Sequence, residues 1–186
     1  MMNTQPNAQS ALQPKQACSA RKPLSWSMAA LLFWPIAIGG ATLDLWSKWA
    51  VFRWLDIRLD EYYVVIDNFL RIIPRENDGA AFSMFSGWRY FLVGISFVAL
   101  IVMIVLFFSR QITRKLVMFS LGCMTAGIIG NFYDRAFNDG RVRDFIDVLI
   151  PVIDYSWPTF NVADSLLCIG VGLLIIANLK APKEID

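Results

Sequence analysis

The chain has 186 residues, of which 56% are hydrophobic, and its mean hydropathy is +0.50. This composition is too apolar for an ordinary soluble domain of that length, so it predicts a membrane protein. The formal net charge is only +2, so bulk charge gives no reason to expect a nucleic-acid partner. The sequence contains no histidine, which excludes a Ser-His-Asp triad, a Cys-His pair and any His-ligated metal site.

The first 25 residues are rich in Asn, Gln, Ala, Ser and Pro, and they are predicted to form a disordered cytoplasmic tail. Arg21 and Lys22 stand before an apolar run, as in a cleaved signal peptide. The charged tail ahead of that run and the length of the run favour a retained first span instead. Cys18 follows no apolar run, so it does not resemble a lipid-attachment site of this chain.

Four apolar segments follow the tail, and each is long enough to cross a bilayer. A helix that rises about 1.5 Å per residue needs about 20 residues to cross about 30 Å of hydrocarbon. Lipid offers no partner to an unpaired backbone group, so the segments must be helical. The predicted spans are Ser27–Ala41 continuing to Phe52, Tyr90–Phe108, Leu116–Tyr133 and Phe160–Leu179, in one membrane domain over residues 26–180 before a cytoplasmic tail at 181–186.

Basic residues mark one side of the membrane. Lys and Arg in short flanks favour the cytoplasm, so both termini are predicted to be cytoplasmic, and the acidic residues gather at the opposite, far side. The basic flanks are Arg21 and Lys22 before the first span, Arg110, Arg114 and Lys115 between the second and third, and Lys180 and Lys183 after the fourth.

The two far-side loops differ in pattern. The first, residues 53–87, contains "YYVVIDNFLRII", which predicts a small hairpin or curved sheet on the membrane surface, with a turn at Asp67-Asn68. The second, residues 135–159, is mixed, and Gly140, Pro151 and Pro158 interrupt it. No strand or helix is assigned to the second loop.

Polar residues near the far-side ends of the spans are the candidate functional residues, because ionisable groups at membrane depth are costly unless they are paired or functional. Asp44 and Lys48 lie one helical turn apart, which favours an ion pair that anchors the first helix at the interface. Asn77 and Gly79, in "ENDGAAFSMF", indicate a turn from pattern alone.

The third span ends in "AGIIGNFYDR", where Asn131 is spaced to share a helix face with Asp134 and Arg135. An acid at a helix C-terminus opposes the dipole, so Asp134 is expected to have a partner such as Lys48 or an arginine.

Three acidic residues lie in the first turn of the fourth span or in the loop before it. Asn161 is placed to cap that helix, and Asp164, about one turn in, is favoured by the helix dipole. Asp144 and Asp147 precede it in "GRVRDFIDV". Spacing alone leaves all three carboxylates open as caps, surface charges or reactive groups.

Five motifs together resemble the lipoprotein signal peptidase (signal peptidase II) family, over roughly Met28 to Leu179. Each motif is weak by itself, but five in order on a four-span chain without histidine form a specific combination. They are "DLWSK" (Asp44–Lys48), "NDGAAF" (Asn77–Phe82), "GIIGNFYDR" (Gly127–Arg135), "GRVRDF" (Gly140–Phe145) and "FNVAD" (Phe160–Asp164).

The resemblance implies an all-α membrane protein with four transmembrane helices and a small extracytoplasmic β-sheet, or cradle, in the first loop. It implies an intramembrane aspartic endopeptidase of the bacterial cytoplasmic (inner) membrane, active near the extracytoplasmic face without metal or cofactor. The implied substrates are prolipoproteins, cut just before a cysteine that carries diacylglycerol. Membrane lipid is the other implied partner, and a monomer is expected because one chain supplies every part.

Carried over by motif, the catalytic pair is Asp144 and Asp164. The pattern Gly-x-Val-x-Asp-Phe selects Asp144 over Asp139, but the stretch before it is one residue longer than is usual, so Asp147 remains the alternative. The residues implied to hold the substrate or support the pair are Asn77, Gly79, Arg135, Asn161, Asn131, Asp134, Asp44 and Lys48.

Three other functions compete with this one. Intramembrane acids also serve small proton-coupled transporters, and the same residues could be caps in a non-enzymatic membrane assembly factor. A Ser/Lys peptidase is disfavoured, because Ser47 and Lys48 point about 100° apart on a helix.

Overall fold

A computed structural model describes residues 22–79 and 84–179 of the protein. The predicted tail up to Arg21, the end of the "NDGAAF" motif at Phe82, and the basic flank of Lys180 and Lys183 lie outside the described residues.

Four helices in the described residues are long and apolar enough to cross a membrane. They are α1 (Trp26–Trp54), α2 (Arg89–Phe108), α3 (Lys115–Phe137) and α4 (Val162–Leu179). The four predicted spans are therefore confirmed. The main differences are at far-side ends, where α3 continues beyond Tyr133 through its polar residues and α4 begins two residues after Phe160.

Helix α3 packs against the other three helices, and glycines bring α4 close to it. A Cβ on Gly127 would lie 2.4 Å from the carbonyl oxygen of Ala163, and one on Gly170 would lie 2.6 Å from Cγ of Met124. Small residues permit this approach. Close packing is important between helices in a membrane, because lipid leaves no hydrophobic driving force for their association. At the end marked by the basic flanks, Phe33 stacks on Phe107 inside an apolar cluster of α1, α2 and α3.

The far side carries a four-stranded antiparallel sheet in chain order. Its strands are β1 (Tyr63–Ile66), β2 (Leu70–Asn77), β3 (Val142–Ile150) and β4 (Tyr155–Ser156). The predicted β1–β2 hairpin is confirmed, and Asn68 adopts a φ of 55° in its turn. The prediction was incomplete, however, because the second loop supplies half of the strands.

Two irregularities distort the sheet beside Asp144. The N–H groups of Phe145 and Ile146 both donate to the carbonyl oxygen of Phe160, at 3.1 and 2.8 Å, which forms a β-bulge in β3. Across the ladder, the register of β2 shifts between Ile72 and Arg75, a segment that contains Pro74. Proline has no N–H to donate, so it is tolerated at such a point.

Candidate active site

A cavity of about 1050 Å³ lies between the sheet and the far-side ends of α3 and α4. Its apolar wall runs down α4 along Leu167, Cys168 and Ile169. Its polar wall includes six residues that the sequence singled out, namely Asn77, Asn131, Arg135, Asp144, Asp147 and Asp164.

The bulge explains how Asp144 and Asp147 line the same cavity. Residues three apart on a regular strand face opposite sides of a sheet. The extra residue in β3 reverses that alternation, so the buried positions run Val142, Asp144, Phe145 and Asp147 instead of every second residue.

Asp144 is only 2% exposed, and two amides hold its carboxylate. Oδ1 accepts a hydrogen bond of 2.6 Å from Nδ2 of Asn161, and Oδ2 accepts one of 3.3 Å from Nδ2 of Asn77. Both oxygens therefore have an uncharged donor from a different element of the fold.

Asp164 lies in the first turn of α4 and forms a reciprocal cap with Asn161. The Asp164 N–H donates to Oδ1 of Asn161 at 2.9 Å, and the Asn161 N–H donates back to Oδ2 of Asp164 at 3.2 Å. Oδ1 of Asp164 accepts a further bond of 2.7 Å from Nδ2 of Asn131. Asn161 thus caps α4, as its position predicts, and also links the two carboxylates.

Burial, and next the negative charge of Asp164, raises the pKa of Asp144 to about 7. The hydrogen bonds from Asn77 and Asn161 and the charge of Lys48 act in the opposite direction. Two carboxylates that interact in this way do not both ionise cheaply, so a pair at neutral pH favours a state with one shared proton.

Asn77 and Gly79 form the turn that the sequence indicates, and the turn orients the amide. Oδ1 of Asn77 accepts from the Gly79 N–H at 3.0 Å, which leaves Nδ2 directed at Asp144. Arg135 on α3 donates from Nη2 to the Gly79 carbonyl oxygen at 3.0 Å. The guanidinium therefore joins α3 to the end of β2 at the edge of the cavity.

Beneath the cavity, four charged side chains form a network that neutralises itself. Lys48 pairs with Asp44 at 2.7 Å and with Asp134 at 3.2 Å, and all three are fully buried. Arg143 donates to Asp134 from Nε and Nη2 at 3.1 and 2.6 Å. The Asp44–Lys48 ion pair that the spacing favours is thus present, and it is buried between helices. Asp134 has both kinds of partner expected for it.

This network reaches the two carboxylates through Asn131. Nζ of Lys48 donates to Oδ1 of Asn131 at 3.1 Å, and the Asn131 amide in turn donates to Asp164. Oδ1 of Asp44 accepts from the Ala163 N–H at 2.8 Å, so α1 also caps the start of α4. A carboxylate at a helix N-terminus is favoured by the dipole and by the unpaired N–H groups there.

Asp147 has a different environment. Its Oδ2 accepts from Nε of Arg71 at 2.7 Å and pairs with Nη2 at 2.5 Å, and its Oδ1 accepts from Oγ of Ser156 at 2.8 Å. Both oxygens therefore have partners on neighbouring strands.

Sequence reasoning missed Arg143, Arg71 and Ser156. Charged and polar residues are ordinary in loops, so nothing in the local pattern distinguishes them, and the strand register that pairs Arg71 with Asp147 spans 76 residues of chain. Among residues 22–79 and 84–179, no group of three or more Cys, Asp or Glu side chains is arranged to hold a metal ion.

Comparison with known proteins agrees with this architecture. The profile of the family described as signal peptidase (SPase) II matches residues 36–180. A lipoprotein signal peptidase from Anoxybacillus flavithermus is 38% identical over 157 residues, which cover 83% of this chain and 89% of the relative.

Two solved structures, both described as bacterial membrane enzymes studied by the in meso method, match with TM-scores of 0.74 and 0.71 at 33% identity. The matches cover 89% and 87% of this chain and 99% of each solved chain. The chain therefore belongs to the signal peptidase II family and is a multi-pass membrane peptidase.

Proposed function

We propose that this peptidase removes the signal peptide from prolipoproteins and cuts just before a cysteine that carries diacylglycerol, with Asp144 and Asp164 as its catalytic dyad. The single observation that supports the dyad most is that Asn161 bonds both carboxylates at one cavity, where Asp144 has a pKa of about 7. The lipoprotein substrate is suggested by the relative from Anoxybacillus flavithermus, which is a lipoprotein signal peptidase.

In the proposed reaction the dyad holds one proton and activates water. The ionised carboxylate takes a proton from the water as the water oxygen attacks the scissile carbonyl carbon. The protonated carboxylic acid donates its proton to the carbonyl oxygen, which gives a neutral tetrahedral diol. The diol collapses as a proton reaches the leaving nitrogen, and the C–N bond breaks. The pair titrates as a unit, so the two roles belong to the dyad and not to one named aspartate.

The polar wall is suited to an extended peptide. Asn77 and Arg135 supply donors and a positive charge in the cavity, near both carboxylates, and Gly79 holds these two side chains through its N–H and its carbonyl oxygen. Asn161 and Asn131 hold the dyad, and Asp134, Asp44 and Lys48 support Asn131 and α4 from below. The apolar wall of α4 below Asp164 is suited to the signal peptide or to acyl chains of the lipidated cysteine.

The proposed location is the bacterial cytoplasmic membrane, with both termini in the cytoplasm and the dyad near the extracytoplasmic face. The basic residues between α2 and α3 support this orientation, because Arg110, Arg114 and Lys115 lie at the end opposite to the cavity. The lipidated cysteine would then be presented at the outer membrane boundary.

The test is cleavage by purified protein of one prolipoprotein, prepared with and without the diacylglyceryl group. We expect cleavage of the modified form alone, and mass spectrometry should place the new amino terminus at the lipidated cysteine. Asp144→Asn and Asp164→Asn should each lower kcat by about 100-fold or more, the scale of general acid–base catalysis.

Asp154→Asn is the matched control, because Asp154 is an exposed carboxylate in the turn after β3 and should leave kcat unchanged. Equal cleavage of the two substrate forms would refute the requirement for the diacylglyceryl group. Full activity in Asp144→Asn or in Asp164→Asn would refute the catalytic dyad.

A further inference from the structure

One buried carboxylate of the cavity wall has no part in the proposed chemistry. Asp147 is 3% exposed, and its two oxygens accept three donor contacts from Arg71 and Ser156. Asp147 pairs with a guanidinium and not with a second carboxylate, so among its described contacts it has no partner with which to share a proton. Its contribution therefore lies in the side chains that it holds, Arg71 and Ser156.

The Asp147 cluster (Asp147, Arg71 and Ser156) joins three strands. Arg71 on β2 is the direct cross-strand partner of Asp147 on β3, and Ser156 belongs to β4. The Arg71 guanidinium also lies over the Tyr62 ring, 5.4 Å from its centroid, which fixes its plane further. The cluster is thus a rigid side-chain connection across the sheet.

This connection follows directly after the irregular part of the backbone ladder. Phe145 and Ile146 share a single acceptor on one edge of β3, and Pro74 offers no N–H opposite the other edge. Asp144 precedes the bulge, and Asp147 follows it. The Phe160 N–H donates back to the Ile146 carbonyl oxygen at 3.0 Å, so the backbone bonds on that edge all involve one residue, and the direction in which Asp144 faces depends on the form of the bulge.

We propose that Asp147 is a positioning residue, which with Arg71 and Ser156 holds the β3 bulge in the form that directs the Asp144 carboxylate toward Asp164. The inference rests on the proposed dyad and deepens it. Arg75, also on β2, forms a contrasting pair with Asp60 in the segment before β1, and these side chains are 49% and 75% exposed. Exposed pairs contribute little, so the Arg75–Asp60 pair serves as a natural control.

The first measurement is steady-state cleavage. Asp147→Asn keeps the size of the side chain and a bond to Ser156, but loses the charge that holds the arginine fork. We expect kcat to fall by about 10- to 100-fold with KM within about twofold, the pattern of a misplaced catalytic group. The unfolding temperature should stay close to that of the wild type, because Arg71 is partly exposed and can reach water.

Variants of Arg71 test whether the pair acts as a unit. Arg71→Gln should reproduce the effect of Asp147→Asn on kcat, and the double variant should be no worse than the poorer single variant. Arg71→Lys keeps the charge without the two-donor geometry and should lie between wild type and Arg71→Gln. Asp60→Asn should leave kcat unchanged.

The second measurement does not depend on turnover. The infrared band of the protonated Asp144 carboxyl, identified by its absence in Asp144→Asn, reports how that group titrates. The charged groups around it are Asp164 on α4, Lys48 on α1, Arg135 on α3 and Arg75 across from it on β2.

If Asp144 moves away from Asp164, its pKa falls in both Asp147→Asn and Arg71→Gln. Direct charge effects alone would shift the pKa in opposite directions, because one variant removes a negative charge and the other a positive charge.

Shifts in opposite directions, unchanged kcat, or loss of activity in step with loss of folded protein would each overturn the positioning role. Failure of the wild type to cleave lipoproteins would instead refute the proposed function, and the titration would still test the position of Asp144.

Discussion

Three asparagines at the candidate active site, Asn77, Asn131 and Asn161, act through both ends of their amides. Asn161 uses its oxygen to cap α4 and its nitrogen to hold Asp144, and Asn131 accepts from Lys48 while donating to Asp164. Asn77 accepts from Gly79 and donates to Asp144. An amide supplies a donor without adding charge, so these hydrogen bonds hold the two carboxylates of the proposed dyad without adding a positive charge at either one.

The two functions of Asn161 can be separated. Asn161→Ser keeps a capping oxygen but loses the donor to Asp144, whereas Asn161→Ala loses both. We expect kcat to fall in both variants, and only Asn161→Ala to lose a further amount of about 1 kcal/mol of stability, the usual value of an N-cap. Cleavage rates and unfolding midpoints, measured on the same preparations, check this. Equal stability of the two variants would contradict the capping role.

The dyad also predicts a pH dependence with a definite sign. Above its pKa of about 7, Asp144 loses its proton, and a dyad with two negative charges has no acid to donate to the carbonyl oxygen. The value of kcat/KM should therefore decline as pH rises through about 7. A pH–rate profile on a substrate without titrating groups near the cleavage site measures it. A rate that stays constant up to pH 9 would be incompatible with the proposed acid.

The free energy of unfolding also depends on the proton of Asp144. The folded state binds more protons than the unfolded chain between the ordinary pKa of 3.8 and about 7, so Asp144 makes folding less favourable as pH rises through that window. The dyad is thus costly to the fold where it is proposed to work. That is expected of a functional carboxylate pair and not of caps.

At the element scale, the distance between α3 and α4 depends on glycine. A Cβ on Gly127 would lie 2.4 Å from the Ala163 carbonyl oxygen and 2.6 Å from Cγ of Leu167, so Gly127→Ala must separate the helices. Because Ala163 directly precedes Asp164, we expect both the unfolding temperature and kcat to fall. Thermal unfolding and cleavage assays measure the two effects.

The control for Gly127→Ala is Gly172→Ala on α4. An added Cβ on Gly172 meets nothing within 4 Å, and alanine is favoured over glycine in a helix by about 1 kcal/mol. Gly172→Ala should therefore be neutral or slightly stabilising. If both variants behave alike, the close approach at Gly127 is not what positions α4.

The elements differ in how far the sequence could predict them. The spans and the first hairpin follow from continuous apolar runs and from a turn signal between β-branched runs. Strand β3 does not, because its bulge breaks the period of two that identifies a strand, and the buried set 142, 144, 145 and 147 matches no regular pattern. Most of the candidate residues stood out as polar groups near the ends of apolar spans. Asn77, Gly79 and Asp144 lie in the loops between spans, and only the resemblance to the family's motifs selected them. Arg143 and the Asp147 cluster needed the long-range register.

At the scale of the whole molecule, polarity is strongly one-sided. Among the described residues, the buried charges and amides lie on β3 and at the far-side ends of α1, α3 and α4, while the opposite end packs Phe33, Phe107 and Met118 in an apolar cluster. A proton-coupled transporter needs polar groups along a path across the membrane. This distribution favours chemistry at one face over transport.

The basic residues between α2 and α3 predict which side of the membrane that face occupies. Arg110, Arg114 and Lys115 should be cytoplasmic, which places the turn at Asp154 outside. In a background where Cys18, Cys123 and Cys168 are replaced by serine, Asp154→Cys should react with a membrane-impermeant thiol reagent in intact spheroplasts. Gln111→Cys, which is also exposed, should react only after the membrane is permeabilised. The reverse pattern would place the dyad on the cytoplasmic side, where a peptidase acting on exported lipoproteins would not meet its substrate.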